Sequence, residues 1–220
     1  MQINKATFEF LAALKDNNNR EWFQDHKSEY DASLKNVVEF IERLIVGLSK
    51  VDPHITEEIP AKKCLFRIYR DVRFSKNKDP YKNWFAAGIS LDGRKLAGPE
   101  YYIHIEPKET FIAVGYWRPE RHHLDAIRQE IDYNAEGFIE ALERGGWKTS
   151  DLSSEDKLQR PPVGYDAQHE HIELLKNRSF ILHQTFTRQE MESPMALENV
   201  LAQYERMIPF KQYIHQALDQ

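Results

Sequence analysis

The stretch Phe66-Arg67-Ile68-Tyr69-Arg70-Asp71-Val72-Arg73-Phe74-Ser75-Lys76-Asn77-Lys78-Asp79-Pro80-Tyr81-Lys82-Asn83 gathers the groups most able to bind an anion. Arginine offers a planar fork that matches carboxylate and phosphate oxygens, and lysine adds a mobile point charge. Arg67, Arg73, Lys78 and Lys82 are the candidate ligand-binding cations, with Trp84 as an aromatic wall. Pro80 fixes a turn, so Lys78 and Lys82 can approach the chain carrying Arg67 and Arg73. Charge is unevenly spread: Lys62 to Lys82 holds eight Lys or Arg and two Asp, a net of +6. The rest of the chain must carry -11 to reach the total of -5. A basic segment in an acidic body focuses positive potential at one place.

Other chemistry is sparse. No phosphate-binding glycine loop, dinucleotide fingerprint, nucleophile elbow or helical zinc motif is present, so no cofactor is expected. Cys64 is the single cysteine, which excludes an internal disulfide and a thiolate metal cluster, and it is expected as a buried thiol. The nine histidines show no ligand spacing, so no metal is expected. If the protein is an enzyme, His104 with Glu106 is the acid–base candidate, because strand alternation puts both on one face, and Tyr81 is a candidate polariser.

These groups must be positioned by helices, then strands, then helices. Phe8, Leu11, Ala12 and Leu14 form a helical stripe ended by Asp16-Asn17-Asn18-Asn19. Asn19 caps a second helix carrying Trp22 and Phe23. Tyr30, Leu34, Val37, Val38, Ile41, Leu44, Ile45 and Leu48 mark the longest helix, which stops before Pro53. Residues 64–74, 84–91, 101–106 and 111–117 read as strands, rich in β-branched and aromatic side chains and separated by turn residues. Helices follow around Leu124–Ile131 and Phe138–Leu142; 148–168 is a loop; 180–186 is a possible fifth strand; two helices close the chain. The order predicts an α+β fold, one antiparallel sheet of about four to five strands with helices mainly on one face. One domain over 1–220 is expected: helical 1–52, sheet 62–117, and helical with an added strand over 118–220.

Alternation across that sheet groups Trp84, Tyr102, His104, Glu106 and Trp117 around a small-residue floor of Ala86, Gly88, Ala113 and Gly115. Such a face is either a ligand groove or a surface a helix covers closely. On a regular 64–74 strand Arg70 falls on the apolar face. It is then either a structural ion pair or a sign that the strand bends at Asp71, which can itself orient an arginine.

The segment Arg67-x-x-Arg70-Asp71-x-Arg73-Phe74-x-x-x-Lys78-x-Pro80-Tyr81-Lys82 resembles the signature of a bacterial family of unknown function, the one numbered 2461. Asn18-Asn19-Arg20-Glu21-Trp22-Phe23 and Arg160-Pro161-Pro162-x-Gly164-Tyr165 are also similar to that family. In this chain Asn83 directly follows the lysine, and Trp84 stands where the family motif ends in asparagine. The resemblance implies one domain of about this length and brings no reaction.

Composition bounds the rest. Of the 220 residues, 41% are hydrophobic and 12% aromatic, enough to build a core and exclude a disordered chain. No apolar run nears the roughly 18 residues a membrane helix needs, and the N-terminus lacks a secretory layout, so a cytoplasmic protein without membrane contact is expected. The sequence points first to a protein binding an anionic small molecule. A nucleic-acid-binding module, stacking bases on Tyr69, Phe74, Tyr81 and Trp84, is the less favoured alternative, since the pI is near 6.0. A structural or partner-binding protein whose arginines pair internally is the third.

Overall fold

Every third or fourth residue between Tyr30 and Leu48 is apolar, and that stripe organises the first part of the computed structural model, which describes residues 1–219. The helices are α1 (Lys5–Asp16), α2 (Arg20–Asp25), α3 (Lys27–Leu48) and α4 (Ala61–Cys64), followed by strand β1 (Phe85–Ile89). Next come β2 (Glu100–Ile105) and β3 (Thr110–Tyr116), then α5 (Arg121–Tyr133), α6 (Ala135–Arg144) and α7 (Ile172–Leu175). Strand β4 (Phe180–Phe186) and helices α8 (Arg188–Met191) and α9 (Ala196–Leu218) complete the chain. The fold is α+β, with one antiparallel sheet in the order β1-β2-β3-β4. No helix among the described residues is long and apolar enough to cross a membrane.

The chain divides into two compact units. The first comprises Met1–Arg94, Tyr102–Ile112 and Thr185–Ala202. In it α3 packs against α1, α2, α4 and β1. Val37, Phe40, Ile41, Leu44, Ile45 and Leu48 are buried, so the apolar stripe turns α3 inward from Val37 to its end. Val38, expected in the core, is only half-buried, because Val37 and Phe40 take the inward positions. Asn19 caps α2 by accepting from the Trp22 amide at 3.0 Å, as its short polar side chain favours. The second unit comprises Lys95–Tyr101, Ala113–Gln184 and residues from 203 to 219. There α5 packs on α6 and α7, and Phe138 sets its ring edge-on to Phe180, Phe210 and Tyr213. Gly115 is required by its backbone (φ +136°) and by space, since a Cβ would lie 1.9 Å from the Phe180 carbonyl oxygen.

Two expectations need correction. Residues 64–74 do not form a regular strand: Cys64 ends α4, and only Leu65 and Tyr69 make isolated antiparallel bridges, to Ala87 and Tyr81. The chain bends at Asn83-Trp84 between the two partner positions, which interrupts the ladder. Alternation therefore holds only as far as Arg70, with Ile68 buried between exposed Arg67 and Tyr69. The two expected C-terminal helices are one, α9, which runs through Pro209. Burial of Val200, Tyr204 and Met207 before the proline and of Phe210 and Ile214 after it compensates the lost backbone bond. Of the expected small-residue floor, Ala86, Gly88, Ala113 and Gly115 are all buried.

Two stability measurements follow. Leu44→Ala should lower the urea unfolding free energy by about 2–5 kcal/mol, because Leu44 is fully buried in the α3 stripe; a loss under about 1 kcal/mol would contradict its core position. Glu100 is pushed up to about 7 from 4.5 by burial. Its ionised form is thus disfavoured in the fold. That cost is absent below the unfolded value, grows as the pH rises from 4.5 to about 7, and is complete above it. Glu100→Gln should therefore stabilise the protein at pH 8 by on the order of 3 kcal/mol, and change little at pH 4.

Candidate functional site

All the residues of this site belong to the first unit. Its anchor is Tyr81, which is 4% exposed. The Asn18 side chain pairs with the Tyr81 backbone as a neighbouring strand would: Tyr81 N–H donates to Asn18 Oδ1 at 3.1 Å and Asn18 Nδ2 donates to the Tyr81 carbonyl at 3.0 Å. Phe23 stacks on the Tyr81 ring at 4.0 Å, and Tyr69 tilts against it at 5.5 Å. Burial, then the neighbouring Tyr69, pushes the Tyr81 hydroxyl up from 10.0. Tyr81, the candidate polariser, is thus held in backbone and ring by residues of the Asn18–Phe23 segment.

The four candidate cations separate into two groups. Arg73 closes a two-point bond on Asp71, Nε to Oδ1 at 3.0 Å and Nη2 to Oδ2 at 2.6 Å, and this holds the Asp71 carboxyl below its usual range. Lys78 Nζ donates to the Val72 carbonyl at 2.9 Å. Arg70, half-buried, donates from Nη1 to the Asp79 carbonyl at 3.2 Å, and its guanidinium lies 3.9 Å from the Asp79 carboxylate. Arg70 and Asp71 are therefore not paired with each other: each is used in a separate bond of the same loop. Phe74 at the loop's tip is 95% exposed beneath the Arg73 guanidinium.

Lys82 and Arg67 do come together. Lys82 Nζ donates to the Arg67 carbonyl at 2.9 Å while standing 4.6 Å from the Trp84 ring centroid and 5.5 Å from that of Phe66. Arg94 places its guanidinium 5.4 Å from the same Phe66 ring. Among the described residues no carboxylate lies within ion-pair distance of Arg67, Lys82 or Arg94. Burial, then repulsion from Arg67 and Arg94, lowers the Lys82 ammonium from 10.5. Sequence reasoning missed Arg94; its signal was the Asp92-Gly93 turn, which returns the chain beside the basic segment.

Beyond Trp84 lies a line of three polar groups on one face of β2 and its continuation. His104, 9% exposed, has its ring 4.8 Å from Trp84 and stacked on Phe111 at 5.0 Å. Its Nε2 faces Glu106 Oε2 at 3.4 Å and its Nδ1 faces the Tyr102 hydroxyl at 3.3 Å. Burial lowers the His104 pKa, against the opposing pull of Glu106, which favours the neutral ring. A neutral ring that donates from Nε2 to Glu106 accepts the Tyr102 proton at Nδ1. Glu106 is itself oriented by Asn83 Nδ2 at 2.7 Å and lies 3.5 Å from Lys15 Nζ. Tyr102, Asn83 and Lys15 are additions to the expected His104–Glu106 pair, and the arrangement can pass a proton along Tyr102, His104 and Glu106. No group of three or more His, Cys, Asp or Glu among the described residues is placed to hold a metal ion.

One comparison decides the chain's affiliation. The family described as "Conserved hypothetical protein (DUF2461)" matches residues 6–213. The chain belongs to the DUF2461 family. The match covers α1 through most of α9, and with it every residue of the site. Comparison with curated proteins and with solved structures found no match.

The Asn18–Tyr81 clamp makes a direct prediction. Asn18→Ala removes two backbone-directed hydrogen bonds and should cost about 1–3 kcal/mol in urea unfolding. Asn18→Asp keeps the acceptor but sets a carboxylate oxygen against the Tyr81 carbonyl, and should cost at least as much as Asn18→Ala. A loss under about 0.5 kcal/mol for Asn18→Ala would show that the clamp does not hold the segment.

Proposed function

We propose that this DUF2461 protein binds an anionic small molecule, phosphate- or carboxylate-bearing, at the cluster of Lys82, Arg67 and Arg94. One observation carries the proposal: Lys82 and Arg94 stand against the Phe66 and Trp84 rings, Arg67 is near enough to repel the Lys82 ammonium, and no carboxylate lies at ion-pair distance of the three among the described residues. A bound oxyanion would supply the missing charge, and the Trp84 and Phe66 rings would pack against its organic part. Tyr102, backed by His104 and Glu106, stands beyond Trp84 as a group able to exchange a proton. Arg73 and Lys78 contribute by fixing the adjoining loop.

Linkage gives the test. An anion that binds only the folded state stabilises it, and in a chain of this size about 1 kcal/mol raises the melting temperature by about 2–4 °C. Phosphate should raise it more than chloride at equal ionic strength. Phosphate also strengthens folding non-specifically, so the Arg67→Ala, Lys82→Ala double variant is the control, and it should lose most of the gain. Equal gains in the wild type and the double variant would refute the proposal. The depressed Lys82 value sets the pH sense. Its charged form is disfavoured in the fold while the pH is below that value, and phosphate offsets this cost; the gain should shrink on the alkaline side before 10.5 is reached.

A further inference from the structure

The second unit contains a cleft of about 880 Å³ that has no part in the Lys82 cluster. One wall is a face of α5, with Arg121, Leu124, Asp125, Arg128 and Asp132 at helical spacing. The other is the loop Arg160-Pro161-Pro162-Val163-Gly164-Tyr165, the third segment of the family resemblance. Two prolines restrict this loop, Gly164 turns it at φ +94°, and Tyr165 N–H closes the turn on the Pro162 carbonyl at 3.2 Å. Four arginines and two aspartates line the cleft.

Arg128 is the unusual member. It is 7% exposed, and its guanidinium is held by two carbonyls: Nε donates to Leu175 O at 2.8 Å and Nη2 to Asn177 O at 3.1 Å. Carbonyls orient the group without neutralising it, and no carboxylate among the described residues lies within ion-pair distance of it. The nearby acids have other partners: Asp125 pairs with Arg121 at 3.7 Å, Asp132 with His169 at 2.8 Å, and Asp156 with Arg118 and Arg178. Trp147 Nε1 is the one fully buried side-chain polar atom without a partner among the described residues. The remaining nitrogen of Arg128 has no hydrogen-bond partner among the described residues and is not fully buried, and Arg128 lines the cleft. Arg160, exposed at the rim, makes no ion pair.

We infer that this cleft is a second ligand site, taking an organic oxyanion whose carboxylate or phosphate sits against Arg128 and Arg160. Asp125 acts on Arg128 only from beyond ion-pair distance; a buried guanidinium with no carboxylate in contact is costly, and a fork with free N–H groups is the complement of such an anion. The cleft is far larger than a bare ion and falls in the size range of small-molecule sites. Leu124, Pro161, Pro162 and Tyr165 give it an apolar side, so the ligand carries a ring or a short apolar body.

The test is a titration of ¹⁵N-labelled full-length protein with phenyl phosphate, benzoate and inorganic phosphate, followed by amide shifts. Phenyl phosphate or benzoate should saturably shift the Gly164 and Tyr165 amides, and the better of the two identifies the oxyanion. Arg160→Ala, at an exposed position, should weaken that binding about tenfold, the worth of one charge-assisted contact. Arg128→Lys keeps the charge but not the fork and should weaken it similarly; should that variant not fold, Arg160→Ala decides alone. Lys82→Ala should leave it unchanged, which separates this site from the Lys82 cluster. No saturable shift at millimolar probe, or unchanged affinity in Arg160→Ala, would overturn the inference. Inorganic phosphate binding as tightly as phenyl phosphate would overturn the apolar part of it.

Discussion

A side chain acting as a piece of strand holds the first unit's chemistry in place. The Asn18 amide offers Tyr81 both halves of a backbone pairing, and Phe23 covers the ring behind it. Without that support the chain from Ile68 to Trp84 would have one isolated bridge, Tyr69 to Tyr81, too little to fix a side chain's direction. With it, Lys82 leaves Tyr81 on the side opposite the core and reaches the Trp84 and Phe66 rings. Lys82 inherits its position from this one contact between the segment before α2 and the end of the basic segment, while β2 sets Tyr102 and His104.

Electrostatics in both units obey the same division. Some cations are neutralised locally, as Arg73 is by Asp71 and Arg121 is by Asp125. Others are fixed by backbone carbonyls, which set direction but leave charge: Lys82 by Arg67 and Arg128 by Leu175 and Asn177. The second class is where positive potential remains available, since a carbonyl dipole orients a cation without cancelling it. A count of arginines and lysines cannot distinguish the two classes; the partner atoms can.

The helices and the parity of β2 were legible because their periods are set by burial. The α3 stripe turned inward from Val37 to its end, and Tyr101, Ile103 and Ile105 are fully buried between partners of opposite parity. Residues 64–74 misled because their alternation is real for a few residues and then gives way to a loop bonded to itself. The His104–Glu106 pair was visible from spacing two on one strand. Arg94, Lys15 and Asn83 were not, since their parts depend on long-range packing that no local pattern records. Pro209 illustrates the opposite limit: a local rule predicted a break that buried apolar contacts on both sides overrode.

The loop from Asp71 to Asp79 spends its charges on itself. Asp71 binds Arg73, Lys78 binds the Val72 carbonyl, and Asn77 Oδ1 accepts from the Asp79 amide at 2.8 Å. Each contact spans only a few residues, so each restricts the chain whether or not the rest of the protein has folded around it. Contacts over so few residues close only short loops, and the entropy lost in closing a loop falls with its length. A segment rich in charge and exposed to solvent can thus keep a defined course without a hydrophobic core beneath it.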